Sequence, residues 1–420
     1  MISIMETSKI PIILLLSFLS LFLIADDNLE TLIADAMETN PEISAIEFQI
    51  KALNEKEIFV QKLMDPMFAI EYSNVPYNTW KLDENPMSGI QLKLLQTIPF
   101  PGKNSKRKAV VRAEGQIKTW ELAELKLQLQ DKIKKAYYQL GLNRELKAIS
   151  SKHISLLNDL LETMYNKYEV GKSAQSDILR MTLMKEKLVD DLEDFEQKER
   201  EIQATINSVL NREVDTFIST DHLNLDFNLN LNLDSLLNSA IQNRPLLKKI
   251  EETSKMKKLS FRSAKSERMP DVTLWAGYRI RQNIGAMKSV DFASVGFSFP
   301  IPLDMKGRIK AKMNSADLME QAVNETYKNV VNKISEMLVM AASGAERQEN
   351  KINNYTENLI PNVEQVFQSE LKSYEIGRAN FTDLYQAQLQ LLQFEKIMLK
   401  AMYKYKMYET TIETLIGENL

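Results

Sequence analysis

The sequence predicts a mainly α-helical chain with a small β part, built as two tandem copies of one unit: long coiled-coil α-helical hairpins carrying four short β-strands. Three observations predict it. First, Tyr168-Glu169-Val170-Gly171-Lys172 returns as Tyr374-Glu375-Ile376-Gly377-Arg378, and Asp177-Ile178-Leu179 as Asp383-Leu384-Tyr385, both at an offset of 206. Self-similarity at a fixed spacing marks a repeat architecture. Second, no proline occurs from Gly102 to Arg244, and the 420 residues hold only 12 glycines and 12 prolines. Long uninterrupted helices follow from that scarcity of breakers. Third, four proline-bounded stretches alternate apolar with polar or small residues, the period of a strand.

Taken in order, residues 1–25 come first. Ile10 to Ala25 is an apolar run of 16 residues, preceded by Lys9 and followed by Asp26-Asp27. It is shorter than the roughly 20 residues a spanning helix needs, and it reads as a secretory signal peptide, with a retained anchor as the alternative. The repeats follow as 26–212 and 213–420. Leu32, Ala36, Pro41 and Pro66 map onto Leu236, Ala240, Pro245 and Pro270, and Pro99/Pro101 onto Pro300/Pro302. Each unit opens on a helical segment, 28–64 and 233–266. In the first, Leu29, Leu32, Ile33, Ala36, Ile43, Ile46 and Ile50 recur at helical spacing.

Strands come next in each unit. Phe68, Ile70 and Tyr72 alternate with Ala69, Glu71 and Ser73; Ile90, Leu92 and Leu94 alternate with Gln91 and Lys93. The second unit repeats this over Val272–Arg281 and Ala293–Phe299. Such alternation suits a half-buried soluble strand and equally a barrel strand with lipid outside and water inside. Four strands cannot close a barrel, and isolated hairpins are marginal, so they need partners from other subunits. The long helix then runs from Lys103 to Tyr168, 66 residues or about 100 Å. Leu122, Leu125, Leu129, Ile133, Leu140 and Leu157 lie among charges on it, as in a coiled coil. The second unit repeats it from about Met305 to Tyr374, with Pro361 predicting a kink or break. Between the units, Leu223 to Asp234 alternates without error and is read as a peripheral segment around the middle of the helices.

Composition excludes much. Net charge is −4 and the pI near 5.7, against a nucleic-acid footprint. The absence of cysteine removes disulfides, thiolate metal sites and a cysteine nucleophile, and two histidines cannot build a histidine-rich metal site in one chain. No P-loop, GxSxG, HExxH or CxxC motif occurs. The expectation is a protein that is not an enzyme and carries no metal or cofactor. Methionine pairs such as Met337/Met340 are read as packing residues.

Several motifs in this order resemble the TolC family of outer-membrane efflux proteins, and within it the CzcC-like branch of heavy-metal efflux systems. They are Asn40-Pro41, Asp65-Pro66, Asn74-Val75-Pro76, the run Gln96-Thr97-Ile98-Pro99-Phe100-Pro101-Gly102-Lys103 with Lys106, Arg107 and Lys108 after it, Phe299-Pro300-Ile301-Pro302-Leu303, and the two Tyr-Glu-x-Gly-basic segments. The resemblance implies a homotrimer in the cell outer membrane, four strands from each subunit closing a twelve-stranded barrel above a periplasmic helical tunnel. It implies an exit duct of a tripartite efflux or type I secretion-like system, docked on a periplasmic adaptor linked to an inner-membrane pump. The alternative is a secreted or periplasmic coiled-coil scaffold.

By that resemblance Tyr168, Gly171, Lys172, Tyr374, Gly377 and Arg378 form the tips that dock the adaptor. The glycines also suit a positive φ where a helix reverses. Asp177 and Asp383 fall in the first turns of the returning helices, where carboxylates favour the dipole; brought together threefold, Asp383 would form an entrance constriction. Tyr374 is placed to hydrogen-bond across the tips. Glu71, Lys93, Arg279 and Arg281 fall on the polar strand face and would line the barrel lumen. Lys103, Lys106, Arg107, Lys108 and Arg112 form a basic cluster that meets lipid phosphates or is a solvated helix start.

Overall fold

The computed structural model describes residues 28–223, 227, 229, 231–301 and 305–418; the apolar run read as a signal peptide lies outside them. Helix α1 spans Leu29–Thr39 and α2 spans Pro41–Gln61. Sequence reading took 28–64 as one segment; the structure breaks it at Asn40, whose ψ of 124° is extended. A residue before proline is pushed out of the helical region, and Pro41 suits the first helical position. The second unit breaks in the same place. Helices α5 (Leu233–Asn243) and α6 (Pro245–Ser266) meet at Arg244, with ψ of 121°.

Strands β1 (Met67–Ser73), β2 (Gly89–Ile98), β3 (Val272–Ile280) and β4 (Phe292–Ser298) form one antiparallel sheet in the order β1-β2-β3-β4. Pairing of Leu92 with Tyr278 and of Gln91 with Arg279 joins the two units. Helix α3 runs unbroken over Lys103–Glu169 and α4 over Gln175–Val209. Their counterparts are less regular. A π-helical turn at Met305–Ile309 leads into α7 (Lys310–Asn354), a second at Tyr355–Leu359 leads into α8 (Ile360–Glu375), and α9 spans Phe381–Ile416. The interruption falls just before Pro361, whose missing N–H is tolerated in a first helical turn. It also has a cause in chain length. The copies are 201 residues apart at Pro99/Pro300 and 206 apart at Tyr168/Tyr374, so the second long helix carries a surplus of five. Each π turn absorbs one residue, leaving close to one α-turn, which returns the same face to the neighbours.

The core follows the repeat. Leu32 and Ala36 of α1 bury against Ile133 and Leu140 of α3 and Ile206 of α4; Leu236 and Ala240 of α5 bury against Ile334 and Leu338 of α7 and Ile412 of α9. Toward the Gly171 and Gly377 turns α3, α4, α8 and α9 pack together around Leu157, Met164, Met181, Phe367 and Leu384. Met337 and Met340 are exposed on α7, off the stripe of Ile334, Leu338 and Ala341 that packs. In the stretch 223–234, residues 224–226, 228 and 230 lie outside the described residues. Leu223, Phe227, Leu229 and Leu231 pack on the helices, and the Phe227 ring meets Tyr405 edge-on at 5.1 Å.

One contact joins the copies at a buried charge. Asn40 Oδ1 accepts from Glu42 N at 2.9 Å, capping α2, while its Nδ2 donates to Val209 O at 2.8 Å. Arg244 holds the equivalent position. It donates to Leu415 O at 3.4 Å, but it has no acceptor to cap α6. Glu124 of α3 supplies one: its Oε2 accepts from Leu246 N at 3.1 Å and its Oε1 from Arg244 at 3.2 Å. Both side chains are buried. Removing the carboxylate strands a buried guanidinium, which costs about 3–5 kcal/mol. Glu124→Ala is expected to lower the melting temperature of the purified protein markedly, and Glu124→Gln, which still accepts from Leu246, by less; equal melting of Glu124→Ala and the parent contradicts the cross-copy cap.

Candidate functional site

Two regions at opposite ends of the helices carry the unusual surface chemistry. The first is the sheet. Its register puts Phe68, Ile70, Leu92, Leu94, Leu274, Tyr278, Val295 and Phe297 on one face. That face is open: Ile70 is 69 %, Phe297 68 % and Val295 84 % exposed. The opposite face carries Glu71, Ser73, Gln91, Lys93, Thr97, Thr273, Arg279 and Ser294. Its charges are tied in place. Lys93 pairs with Glu71 on the neighbouring strand. Arg279 donates to Gln91 Oε1 at 2.8 Å and to Ser73 Oγ at 3.3 Å. The hydroxyls of Thr97 and Thr273 lie 2.9 Å apart. Trp275 covers this face against Gly296, where an added Cβ would sit 2.6 Å from the indole. Sequence reading set Gln91, Ser73 and Trp275 on this side of the alternation, by parity with Arg279 and Lys93, but did not single them out as lumen residues. Arg281 falls one residue beyond β3. It donates to Pro86 O and Val290 O, both at 2.6 Å, and lies 4.0 Å over the Phe292 ring, so it braces the two strand-joining loops.

The second region is the pair of helix reversals. Gly171 and Gly377 have φ of +70° and +76°. Gly171 N donates to Tyr168 O at 2.9 Å and Lys172 N to Lys167 O at 2.8 Å; Gly377 N donates to Tyr374 O at 3.0 Å and Arg378 N to Ser373 O at 2.8 Å. Both are Schellman motifs, in which the residue after glycine closes the last carbonyls of the helix. The repeated Tyr-Glu-x-Gly-basic segment is therefore a helix stop in each copy. Asp177 and Asp383 sit in the first turns of α4 and α9. Asn380 caps α9 by accepting from Asp383 N at 3.1 Å; Ala174 makes no such cap on α4.

The reversals touch each other. Lys167 donates to the Tyr374 carbonyl and lies 4.3 Å over its ring, and Ser173 Oγ lies 3.4 Å from Tyr374 Oη. Tyr374 is buried, whereas Tyr168 is exposed. Lys167 carries no motif of its own and was not singled out from sequence. Val170 and Ile376, at equivalent places, are 66 % and 65 % exposed. Gly171, Lys172, Gly377 and Arg378 are exposed beside them.

An open apolar sheet thus lies at one end and the paired turns about 100 Å away. Residues 236–418 match the outer membrane efflux protein family. The chain matches no curated protein. Its fold is that of the outer-membrane channel OprN, at a TM-score of 0.78 and 14 % identity, over 93 % of this chain and 90 % of that one. It is equally similar to the outer membrane protein VceC of Vibrio cholerae, at 0.77 and 15 % over 93 % and 96 %. CusC, a protein described by its transmembrane channel formation, aligns at 0.77 and 13 % over 94 % and 93 %. The comparisons are with channel proteins, not enzymes. Among the described residues, no helix is long and apolar enough to cross a membrane and no cluster of metal ligands occurs.

The same fold buries a polar group between the copies. His153 of α3 is buried, with Nε2 2.6 Å from Glu395 Oε2 of α9 and Nδ1 2.7 Å from Gln388 Nε2. The amide donates to Nδ1, so Nε2 is the donor toward Glu395. Burial alone would push Glu395 up. The hydrogen bond from His153, with the charge of Lys152 beside it, outweighs that and holds it below the ordinary 4.5. A carboxylate lowered in the folded state stabilises above its unfolded pKa, and the contribution is lost as pH falls through the folded value. Glu395→Gln is expected to lower stability by about 1.5–3 kcal/mol near neutrality, with the two melting curves converging as pH drops below about 4.5. A gap that persists unchanged to pH 3 contradicts this.

Proposed function

We propose that three copies of this chain close a twelve-stranded barrel in the outer membrane and continue it as a periplasmic helical tunnel, forming the exit duct of a tripartite efflux system. One observation carries the reading: a four-stranded sheet, open at both edges, exposes an apolar face and tethers its polar face. Closed threefold, that sheet loses its edges, turns the apolar face to lipid and the polar face to water. The family match and the shared fold support it. In this reading 26–212 and 213–420 are two tandem units after a signal peptide. Glu71, Lys93 and Arg279 line the lumen, and Arg281 braces its outer mouth. On the sequence motifs we place the chain in the CzcC-like branch. Glu71 and Lys93 pair on the lumen face, and the choice of substrate is assigned to the pump.

The tips meet the adaptor through Val170 and Ile376, framed by Lys172 and Arg378, and Asp177 and Asp383 narrow the entrance beside them. A β-branched residue at a positive φ costs about 1–3 kcal/mol, confined here to the tips. Gly171→Val with Gly377→Val is therefore expected to reach the outer membrane as an SDS-resistant, heat-modifiable trimer while losing crosslinks to its periplasmic partner. Loss of the trimer itself would mean that the turns serve folding rather than docking.

The loops 74–88 and 281–291 lie at the end of the sheet away from the helices and are read as surface-exposed. The chain has no cysteine of its own. Asn78→Cys and Ala286→Cys are both exposed positions, and each is expected to react with an impermeant maleimide on intact cells. Labelling only after lysis defeats the outer-membrane topology and favours the scaffold reading.

A further inference from the structure

The basic cluster that follows β2 divides in the structure. Lys108 and Arg112 turn to α2: Lys108 donates to Gln61 Oε1 at 2.7 Å and Arg112 to Glu57 Oε1 at 2.8 Å. Lys103 and Arg107 turn the other way. With Arg308 and Lys312 at the start of the second long helix they line an open cleft of about 670 Å³. Its described walls hold two carboxylates, Glu267 and Asp271, against these four cations. Asp271 takes Lys103 at 2.6 Å and Glu267 takes Lys312 at 2.5 Å. An excess of two positive charges remains, represented by the exposed Arg107 and Arg308. These arginines are 201 residues apart, the offset that relates Pro99 to Pro300, so each copy contributes the same residue to one cleft.

The rest of the wall is apolar. Met269, Pro300 and Ile301 line it, and Ile301 is 71 % exposed. Ile301 continues the parity of Phe297 and Phe299, whose rings stack at 6.3 Å, so the cleft opens below the apolar face of the sheet. Two guanidiniums suit a phosphate better than ammonium groups do, because each presents a fork of donors. A ligand that places an anion on Arg107 and Arg308 and hydrocarbon along Ile301, Phe299 and Phe297 is a glycerophospholipid with an anionic headgroup. We propose that this cleft is a binding site for the phosphate of such a lipid in the inner leaflet of the outer membrane, resting on the reading of the sheet as a membrane barrel. Basic pockets at the headgroup level of membrane proteins bind anionic lipids by the same chemistry.

The purified full-length chain, delipidated in detergent, would be titrated with dioleoylphosphatidylglycerol, dioleoylphosphatidylcholine or soluble glycerol 3-phosphate, and bound lipid counted by native mass spectrometry. Phosphatidylglycerol is expected to bind about tenfold more tightly than phosphatidylcholine. Glycerol 3-phosphate is not expected to displace it. Arg107→Gln with Arg308→Gln should abolish the preference, whereas Lys108→Gln with Arg112→Gln, an equal loss of charge on the α2 side, should keep it. Equal binding of the two lipids, or a preference lost equally in both double variants, overturns the site. Displacement by glycerol 3-phosphate overturns the lipid assignment. The heat-modifiable trimer band is read on each sample. A preference lost with the band intact fits a local site, and a parent chain that forms no such band overturns the barrel and this inference together.

Discussion

Everything in this chain is arranged around a sheet that is unfinished. Among the described residues, strands β1 and β4 have no outer neighbour, and no element covers Ile70, Val295 or Phe297. Four strands with one wet face and one bare apolar face are poorly stable alone. The helices supply what the sheet lacks within one protomer. Gly102 turns β2 into α3 at a φ of +85°. The buried Lys103 then reaches back to Asp271 ahead of β3, whose carboxylate also accepts from Phe100 N at 3.0 Å. The ends of two central strands are thus fixed to one helix start before any other subunit arrives. In the proposed trimer the free edges are closed by symmetry, and a closed ring of copies leaves no strand edge in the membrane.

Tandem repetition supplies matching halves, but the structure uses their differences as much as their likeness. Leu32 and Leu236, or Ile206 and Ile412, fill the same place in each copy. At the helix breaks the copies diverge: Asn40 caps its own helix, whereas Arg244 must borrow Glu124 from the other copy. The substitution turns a local cap into a bond between units. His153 with Glu395, and Lys167 with Tyr374, extend that seam toward the tips. Two identical halves would be free to pair with each other in more than one way. The asymmetric contacts tie α3 to the α5–α6 break, to α9 and to α8, and so fix one alignment of the two copies.

Local signals were the legible ones. Gly171 and Gly377 could be read as helix stops because a Schellman turn is written in consecutive residues, and strand faces could be read because parity alone assigns them. The register that sets Gln91 beside Arg279 is a long-range fact and was not legible. The breaks at Asn40 and Arg244 were written in the prolines that follow, yet the apolar periodicity running through them suggested single helices. The π turns were hidden differently. They compensate a surplus of five residues that shows only when the offsets at the two ends of the helix are compared. Glu124 gave no sign at all, since one carboxylate among many on a charged helix becomes special only through what packs on it.

The two ends of the chain place charge differently, and in the proposed duct this separates conduction from coupling. On the polar face of the sheet, Glu71 is met by Lys93, and Arg279 keeps its charge while Gln91 and Ser73 hold it in place. At the tips, Lys172 and Arg378 present their backbone to the turn, and their exposed side chains frame Val170 and Ile376. A surface of two apolar knobs edged by cations is suited to a groove with an acidic rim, where apolar contact supplies affinity and charge sets orientation. The same residues that stop the helices thereby present the knobs. The β-branched residue before each glycine is exposed at the turn, so geometry required for folding also presents the surface proposed for docking.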